Sequence, residues 1–333
     1  SALSNWDTAS ATSFAGMFDG ATSLSNISAL SNWDTSNVKS FINMFNGATS
    51  LSDISALADW DTASVTGLGG MFYGATSLSN ISALSNWDTS SVMNLVNMFY
   101  GATSLSDISA LSNWDTASAT SFAGMFNGAT SLSDISGVAN WDTRSLKNIS
   151  NMFWNDPYVI DLLPLSNWDT SNVENMSGFM GLINLTKSNN VVVDLRPLAN
   201  WDTSKVTNMR VMFQNVNIAS FMPLANWDVG LVEDFSYMFN QSMFSNGYHA
   251  VSNLYGLENW NVSSAKDMRY MFAYIVTLND VSAIEDWDIT NVTATAGSDQ
   301  NYFYDMFIRV PVRPNFTKRA GTWNSDGTFI LSA

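Results

Sequence analysis

The sequence has no cysteine and a single histidine, and no stretch approaches the run of about 18 apolar residues that a membrane-spanning helix requires. The lack of cysteine excludes disulfides, thiol catalysis and cysteine-based zinc sites. The histidine, His249, has no serine or carboxylate partner that the sequence identifies, so we predict a surface side chain rather than a catalytic base. We therefore expect no enzymatic activity, no cofactor and no membrane span.

Basic residues are scarce as well, because 13 lysines and arginines face 29 acidic residues, which gives a net charge of −16. Residues 1–138 hold one basic side chain, Lys39, and ten aspartates. Such a surface repels phosphate backbones, so nucleic acid is excluded as a partner. The chain opens inside an incomplete repeat, which we interpret as a processed chain or a fragment of a longer protein.

A repeated unit fills most of the chain, and residues 31–54, SNWDTSNVKSFINMFNGATSLSDI, are one copy of it. One tryptophan marks each copy, and six successive spacings of 27 residues are followed by spacings of 33, 26, 33 and 27. The tryptophans are Trp6, Trp33, Trp60, Trp87, Trp114, Trp141, Trp168, Trp201, Trp227, Trp260 and Trp287. Self-similarity at such a period is typical of a solenoid of stacked coils.

Inside the unit, large apolar residues fall three apart, as in Leu51, Ile54 and Leu57. This spacing matches neither the helix period of about 3.6 nor the strand period of about 2, and it favours a coil that bends repeatedly around a core. Prolines at positions equivalent to Ala56 predict that any strand ends before that point. Leu-Ser-Asp-Ile-Ser is therefore the best strand candidate, and the Val-x-x-Met segment is a second extended or short helical candidate.

The polar residues beside each tryptophan form an Asn-Trp-Asp-Thr corner, in which asparagine replaces aspartate after Trp260. Short carboxylates and amides at turns accept hydrogen bonds from nearby backbone N–H groups. We interpret this corner as a structural turn rather than as a column of cation ligands, because no calcium-loop spacing is present.

The WDTSNV…MF…ATSL pattern resembles the repeat of BspA-like leucine-rich-repeat bacterial surface proteins, from Trp6 to about Phe307. The resemblance implies a leucine-rich-repeat-like right-handed solenoid with short parallel strands and short helical or extended turns. It also implies an extracellular or cell-surface location and a role in adhesion. The repeat motif defines no binding residues, so the resemblance assigns none to this chain.

The repeats predict one solenoid of about eleven units over residues 1–307, near-identical in 1–138 and divergent in 139–307, followed by a terminal cap at 308–333. The divergent part carries insertions at 181–198, 240–257 and 293–305. Aromatic side chains on loops of a rigid scaffold often bind partners. The predicted contact residues, from two insertions and the cap, are Tyr248, Tyr302, Phe303, Tyr304, Arg309 and Arg313.

Two functional hypotheses follow from these features. The first is a non-catalytic extracellular repeat protein that mediates adhesion by contact with a surface protein or glycan of a host or neighbouring cell. The second is a structural stalk, or a self-associating subunit of a surface filament or layer, which the near-identical coils and the basic C-terminal segment favour.

Overall fold

The chain forms two compact units, Ser1–Asn172 and Val173–Ala333, and each is described separately. The computed structural model describes residues 2–181, 191–241, 250–292 and 303–332. Within each unit, the same position of consecutive coils pairs through parallel β-bridges, as between Ser40 and Gly67. Each unit is therefore a repeat solenoid, which confirms the fold class predicted from the tryptophan period.

Regular elements are short. The described residues contain ten 3-10 helices, at Ala2–Asn5, Ser28–Leu30, Ser55–Leu57, Ser82–Leu84, Ser109–Leu111, Ser136–Val138, Leu163–Leu165, Arg196–Leu198, Met222–Leu224 and Ser282–Ile284. Two antiparallel strands, β1 (Gly321–Trp323) and β2 (Phe329–Leu331), form a hairpin with Gly321 opposite Leu331. Three of the helices carry proline in their first turn, where its missing N–H is no loss.

The main parallel pairing lies in the Val-x-x-Met segment rather than in Leu-Ser-Asp-Ile-Ser. In the first unit it runs without a break from Ser13 to Asn148, whereas the other segment contributes only the bridge between Asp107 and Asp134. In the Val-x-x-Met segment the N–H groups of Phe41, Asn43 and Phe45 all bond carbonyls of the next coil. The Leu-Ser-Asp-Ile-Ser segment instead turns directly into the 3-10 helix Ser55–Leu57, which ends its pairing.

The tryptophans form the central column of each unit. The ring of Trp33 stacks on that of Trp60 with 6.4 Å between centroids and 3° between planes. The Nε1–H of Trp60 donates to the carbonyl of Leu30 in the preceding coil at 3.1 Å. Leu30 ends a 3-10 helix, and its carbonyl also accepts the backbone N–H of Trp33 at 3.1 Å, so the indole supplies a second hydrogen bond to the same oxygen. Within the described parts of the two units, nine indoles donate this bond, and it fixes the register between neighbouring coils.

The threonine and the aspartate beside each tryptophan make different hydrogen bonds: the threonine bonds the next coil, and the aspartate closes a local turn. The buried hydroxyl of Thr35 donates to the carbonyl of Asp61 in the next coil at 2.9 Å. The carboxylate of Asp34 accepts the N–H of Ser36 at 3.0 Å and points outward. Hydrogen bonds from Ser36 lower the pKa of the Asp34 carboxyl. The geometry of the corner confirms the predicted structural turn.

Glycine and asparagine alternate ten residues after each tryptophan in the first unit, and all have a left-handed backbone conformation. A Cβ atom on Gly70 would overlap the side-chain amide oxygen of Asn43 in the preceding coil, and one on Gly124 would overlap that of Asn97. The alternation thus gives each asparagine side chain the space above a glycine.

Gly70→Ala is expected to lower the free energy of unfolding by about 1–3 kcal/mol, through the left-handed φ and the overlap with Asn43. In an Asn43→Gly background only the backbone component remains, so the loss should shrink. Urea denaturation of the four proteins of this double-mutant cycle measures both effects. An equal loss in the two backgrounds would show that Asn43 does not occupy the space above Gly70.

Asp156 is a buried carboxyl at a position where four earlier coils bury alanine: Ala48, Ala75, Ala102 and Ala129. It is 2% exposed, and neither side-chain oxygen has a hydrogen-bond partner. Burial raises the pKa of this carboxyl well above its usual value, and the nearby amides of Ala129 and Gly128 offset only part of that rise. The folded chain therefore holds a proton that the unfolded chain releases above about pH 4.

Asp156→Ala restores the residue of the earlier coils and should raise the free energy of unfolding at pH 7 by about 1–3 kcal/mol. A carboxyl with a raised folded-state pKa loses stability as pH rises, so the advantage of the variant should be smallest near about pH 3.5 and grow toward neutrality. Denaturation at both pH values tests this. Asp19→Asn, at an exposed carboxylate, is the control and should show no such gain. A variant less stable than the parent at pH 7 would contradict the assignment.

Candidate functional site

Tyrosines on three consecutive coils of the second unit line up as one surface feature. The rings of Tyr237 and Tyr270 stack with centroids 4.7 Å apart and planes 14° apart. Tyr304 meets Tyr270 at 5.5 Å with its ring turned by 70°. At the opposite end, the guanidinium carbon of Arg210 lies 5.3 Å from the centroid of Tyr237. We call Tyr237, Tyr270 and Tyr304 the tyrosine column.

Two members of the tyrosine column have a strained backbone. Tyr237 and Tyr270 each lie ten residues after a tryptophan, the position that the first unit gives to glycine or asparagine, and their φ angles are +59° and +58°. A bulky side chain in this left-handed region costs about 1–3 kcal/mol. Val211, ten residues after Trp201, has the same backbone conformation at φ +51°, so the conformation belongs to the repeat position. What distinguishes the coils of Tyr237 and Tyr270 is the aromatic ring that each places there.

A buried carboxyl, that of Asp305, lies beside Tyr270 of the tyrosine column. Asp305 is 5% exposed and accepts a hydrogen bond from the Thr328 hydroxyl at 3.4 Å. Burial raises the pKa of Asp305 more than the hydroxyls of Tyr270 and Thr328 lower it. Burial, and next the negative charge of Asp305, raise the pKa of the Tyr270 phenol. Tyr270 therefore keeps its proton and remains a hydrogen-bond donor.

The arginines beside the column are held in place differently. Arg269 forms a bidentate pair with Asp267, with Nε and Nη2 at 3.0 and 2.6 Å from the carboxylate oxygens. Arg210 is exposed and donates from Nη1 to the hydroxyl of Ser236 at 2.9 Å. The charge of Arg269 is thus neutralised locally, while Arg210 serves as a cation against a ring face.

The structure separates the residues that the sequence grouped as contacts. Tyr304 is 47% exposed at the end of the tyrosine column, but Phe303 is fully buried and packs edge-on against Phe329 at 5.5 Å. Phe303 therefore belongs to the core and is not available to a partner. Tyr248 and Tyr302 lie outside the described residues, as does His249.

The two predicted arginines do not join the tyrosine column. Arg309 is exposed and has a left-handed backbone. Arg313 donates from Nη1 to the carbonyls of Val310 and Val312, so its guanidinium stabilises the local chain. Sequence reasoning missed Arg210, Tyr237 and Tyr270. The available signal was tyrosine ten residues after Trp227 and Trp260, where the repeats of the first unit have glycine or asparagine and the Trp201 repeat has Val211.

Among the described residues, no three His, Cys, Asp or Glu side chains are grouped as a metal site. No helix in the same part of the chain is long and apolar enough to cross a membrane. The tyrosine column can donate hydrogen bonds, offer aromatic surface and hold a cation, which are the capabilities of a recognition surface.

Tyr270→Gly is expected to be more stable to urea than Tyr270→Ala by about 1 kcal/mol, because both remove the ring but only alanine keeps the left-handed strain. At an unstrained exposed position, the alanine variant is usually as stable as the glycine variant or more stable. Equal stability of the two variants would mean that Tyr270 carries no backbone strain.

The match to a known family runs along the repeats of the chain. None of the curated proteins compared with the chain matches it. An internalin (inlF) from Listeria monocytogenes matches at 14% identity over 83% of this chain and 85% of its own, with a TM-score of 0.29. A family described as "Mycoplasma protein of unknown function, DUF285" matches five overlapping segments, at residues 1–83, 78–193, 132–249, 181–301 and 241–325. Because these matches span almost the whole sequence, the chain belongs to the DUF285 family of tandem-repeat proteins.

Proposed function

We propose that this DUF285 protein is a non-catalytic extracellular repeat protein that mediates adhesion, and that the tyrosine column is its contact surface for a protein or glycan of a host or neighbouring cell. The observation that carries the proposal is the stacking of Tyr237 and Tyr270 on adjacent coils, with Arg210 against one end and the exposed ring of Tyr304 at the other. Aromatic rings and a cation grouped on the surface of a rigid scaffold are typical of partner contacts.

In this proposal the first unit serves as a regular spacer and the second unit makes the contacts with a partner. Residues 1–138 repeat nearly the same coil, so they present the same side chains at each step and serve length and regularity. The second unit breaks the repetition at Arg210, Tyr237, Tyr270 and Tyr304. Specific recognition needs such local differences, and a rigid coil presents them at low entropic cost. The resemblance to BspA-like surface proteins supports the extracellular location.

The alternative is a stalk or a self-associating filament, supported by the near-identical coils. Growth by stacking coil on coil would need free backbone donors at the last coil. There the N–H of Phe307 donates to the carbonyl of Gly327 at 3.1 Å, and that of Asp305 to the Thr328 hydroxyl at 3.0 Å. In earlier coils the equivalent donors bond the next coil, as Phe272 does to Met306.

The hairpin of β1 and β2 therefore takes the place of a further coil, and we infer that residues 308–333 act as a cap. Trp323 packs edge-on against Phe307 at 5.3 Å, and Phe329 covers Phe303. A capped end disfavours end-to-end polymerisation through coil stacking. For this reason we favour adhesion over a filament.

The test is binding to cultured cells, immobilised matrix proteins and a glycan array. The triple variant Tyr237→Gly, Tyr270→Gly, Tyr304→Ala should reduce binding at least about tenfold, the scale of a few lost contact side chains. The matched control is Tyr73→Ala with Tyr100→Ala, a stacked pair in the first unit with centroids 4.5 Å apart, which should leave binding unchanged.

The proposal is overturned if the correctly folded triple variant binds as the parent does. The filament alternative gains if purified parent protein sediments as concentration-dependent polymers while showing no binding in any of the three assays.

A further inference from the structure

The geometry points to a ligand class for the open end of the tyrosine column: Tyr304 binds a cationic side chain, arginine or lysine, supplied by a basic segment of a partner protein. This inference rests on the proposed function and narrows it from a surface protein or glycan to a basic peptide segment. It is carried by ring exposure, by the carboxylates around Tyr304 and by an arginine already stacked within the same column.

Ring faces along the column are unequally covered. Tyr237 has Arg210 on one side and Tyr270 on the other, and Tyr270 lies between Tyr237 and Tyr304. Tyr304 is turned 70° away from the stack and is 47% exposed. Among the described members of the column, Tyr304 therefore offers the most open aromatic surface to a partner.

Two carboxyls lie at this end of the tyrosine column. Asp305 follows Tyr304 directly, and the negative charge of Asp326 contributes to raising the pKa of Asp305. Arg269 is already paired with Asp267, and the exposed Arg309 follows in the same part of the chain. The whole chain carries a net charge of −16. A cation at Tyr304 gains both the field of the two carboxyls and the face of the ring.

The opposite end of the column shows the same chemistry within one chain. Arg210 holds its guanidinium 5.3 Å from the centroid of Tyr237, inside the range of about 6 Å for a cation–π contact. Tyr304 is also a tyrosine, and among the described residues no arginine lies over its ring. A partner's arginine at Tyr304 would therefore complete an arrangement that the column already uses once.

The experiment uses a fluorescent glycine–serine peptide that carries several arginines, and the same peptide with neutral citrulline in their place. Anisotropy titration should give tight binding of the arginine peptide only, weakened by added salt. Tyr304→Leu should weaken that binding about 3- to 30-fold, the equivalent of one cation–π contact. Tyr304→Phe keeps the ring and should stay within about twofold, and Tyr73→Leu in the first unit should change nothing.

Two results would overturn the inference. Equal binding of the citrulline peptide would show that charge is not recognised. If the folded Tyr304→Leu variant bound the arginine peptide as tightly as the parent, the peptide would be attracted to the acidic surface in general and not to a site at Tyr304. Glycan binding that Tyr304→Leu abolishes, without peptide discrimination, would sink the cation assignment but leave the proposed function standing. Adhesion that is unaffected by the whole column would instead remove the proposed function.

Discussion

The hydrogen bond from each tryptophan indole to a carbonyl of the preceding coil is the interaction on which the rest of the structure depends. Trp87, for example, donates to Leu57 at 3.0 Å, and Leu57 ends a 3-10 helix. One bond therefore ties a core ring, a helix end and the next coil together. Because the bond is buried and directional, a coil that shifted by one residue would leave the indole N–H unsatisfied, whereas the Leu57 carbonyl would keep the backbone N–H of Trp60.

Once the register is fixed, every other side chain falls into a column, and each column has its own function. Thr35 and its equivalents join coils, Asp34 and its equivalents close turns, and Asn43 fills the space above Gly70. In the second unit Thr203 joins coils and Asp202 closes a turn in the same way, in the unit that also holds the left-handed Tyr237 and Tyr270. Under the proposed function, the tyrosine column uses part of the stability of this scaffold for recognition.

The sequence predicts the features that depend on periodicity. The tryptophan spacing indicates the solenoid, and the apolar triplets Leu51, Ile54 and Leu57 are all buried. It does not predict the position of the main pairing, because the 3-10 helix Ser55–Leu57 begins directly after Ile54 and ends any ladder there. Phe303 looked like a surface aromatic because it lies at an insertion, but its spacing to Met306 is that of a core triplet.

The tyrosine column escapes sequence reasoning for a related reason. Its members are 33 or 34 residues apart and become neighbours only through coil stacking, and a left-handed φ is not visible in residue type. Stacking itself is measured most directly by hydrogen exchange of the indole N–H groups, followed by NMR of protein labelled with ¹⁵N-tryptophan. The nine indoles described as donating this bond are those of Trp33, Trp60, Trp87, Trp114, Trp141, Trp168, Trp227, Trp260 and Trp287, and they should exchange slowly. Trp6, which is 52% exposed, should exchange fast. If these nine tryptophan indoles exchanged as fast as that of Trp6, the hydrogen bonds between coils would be contradicted.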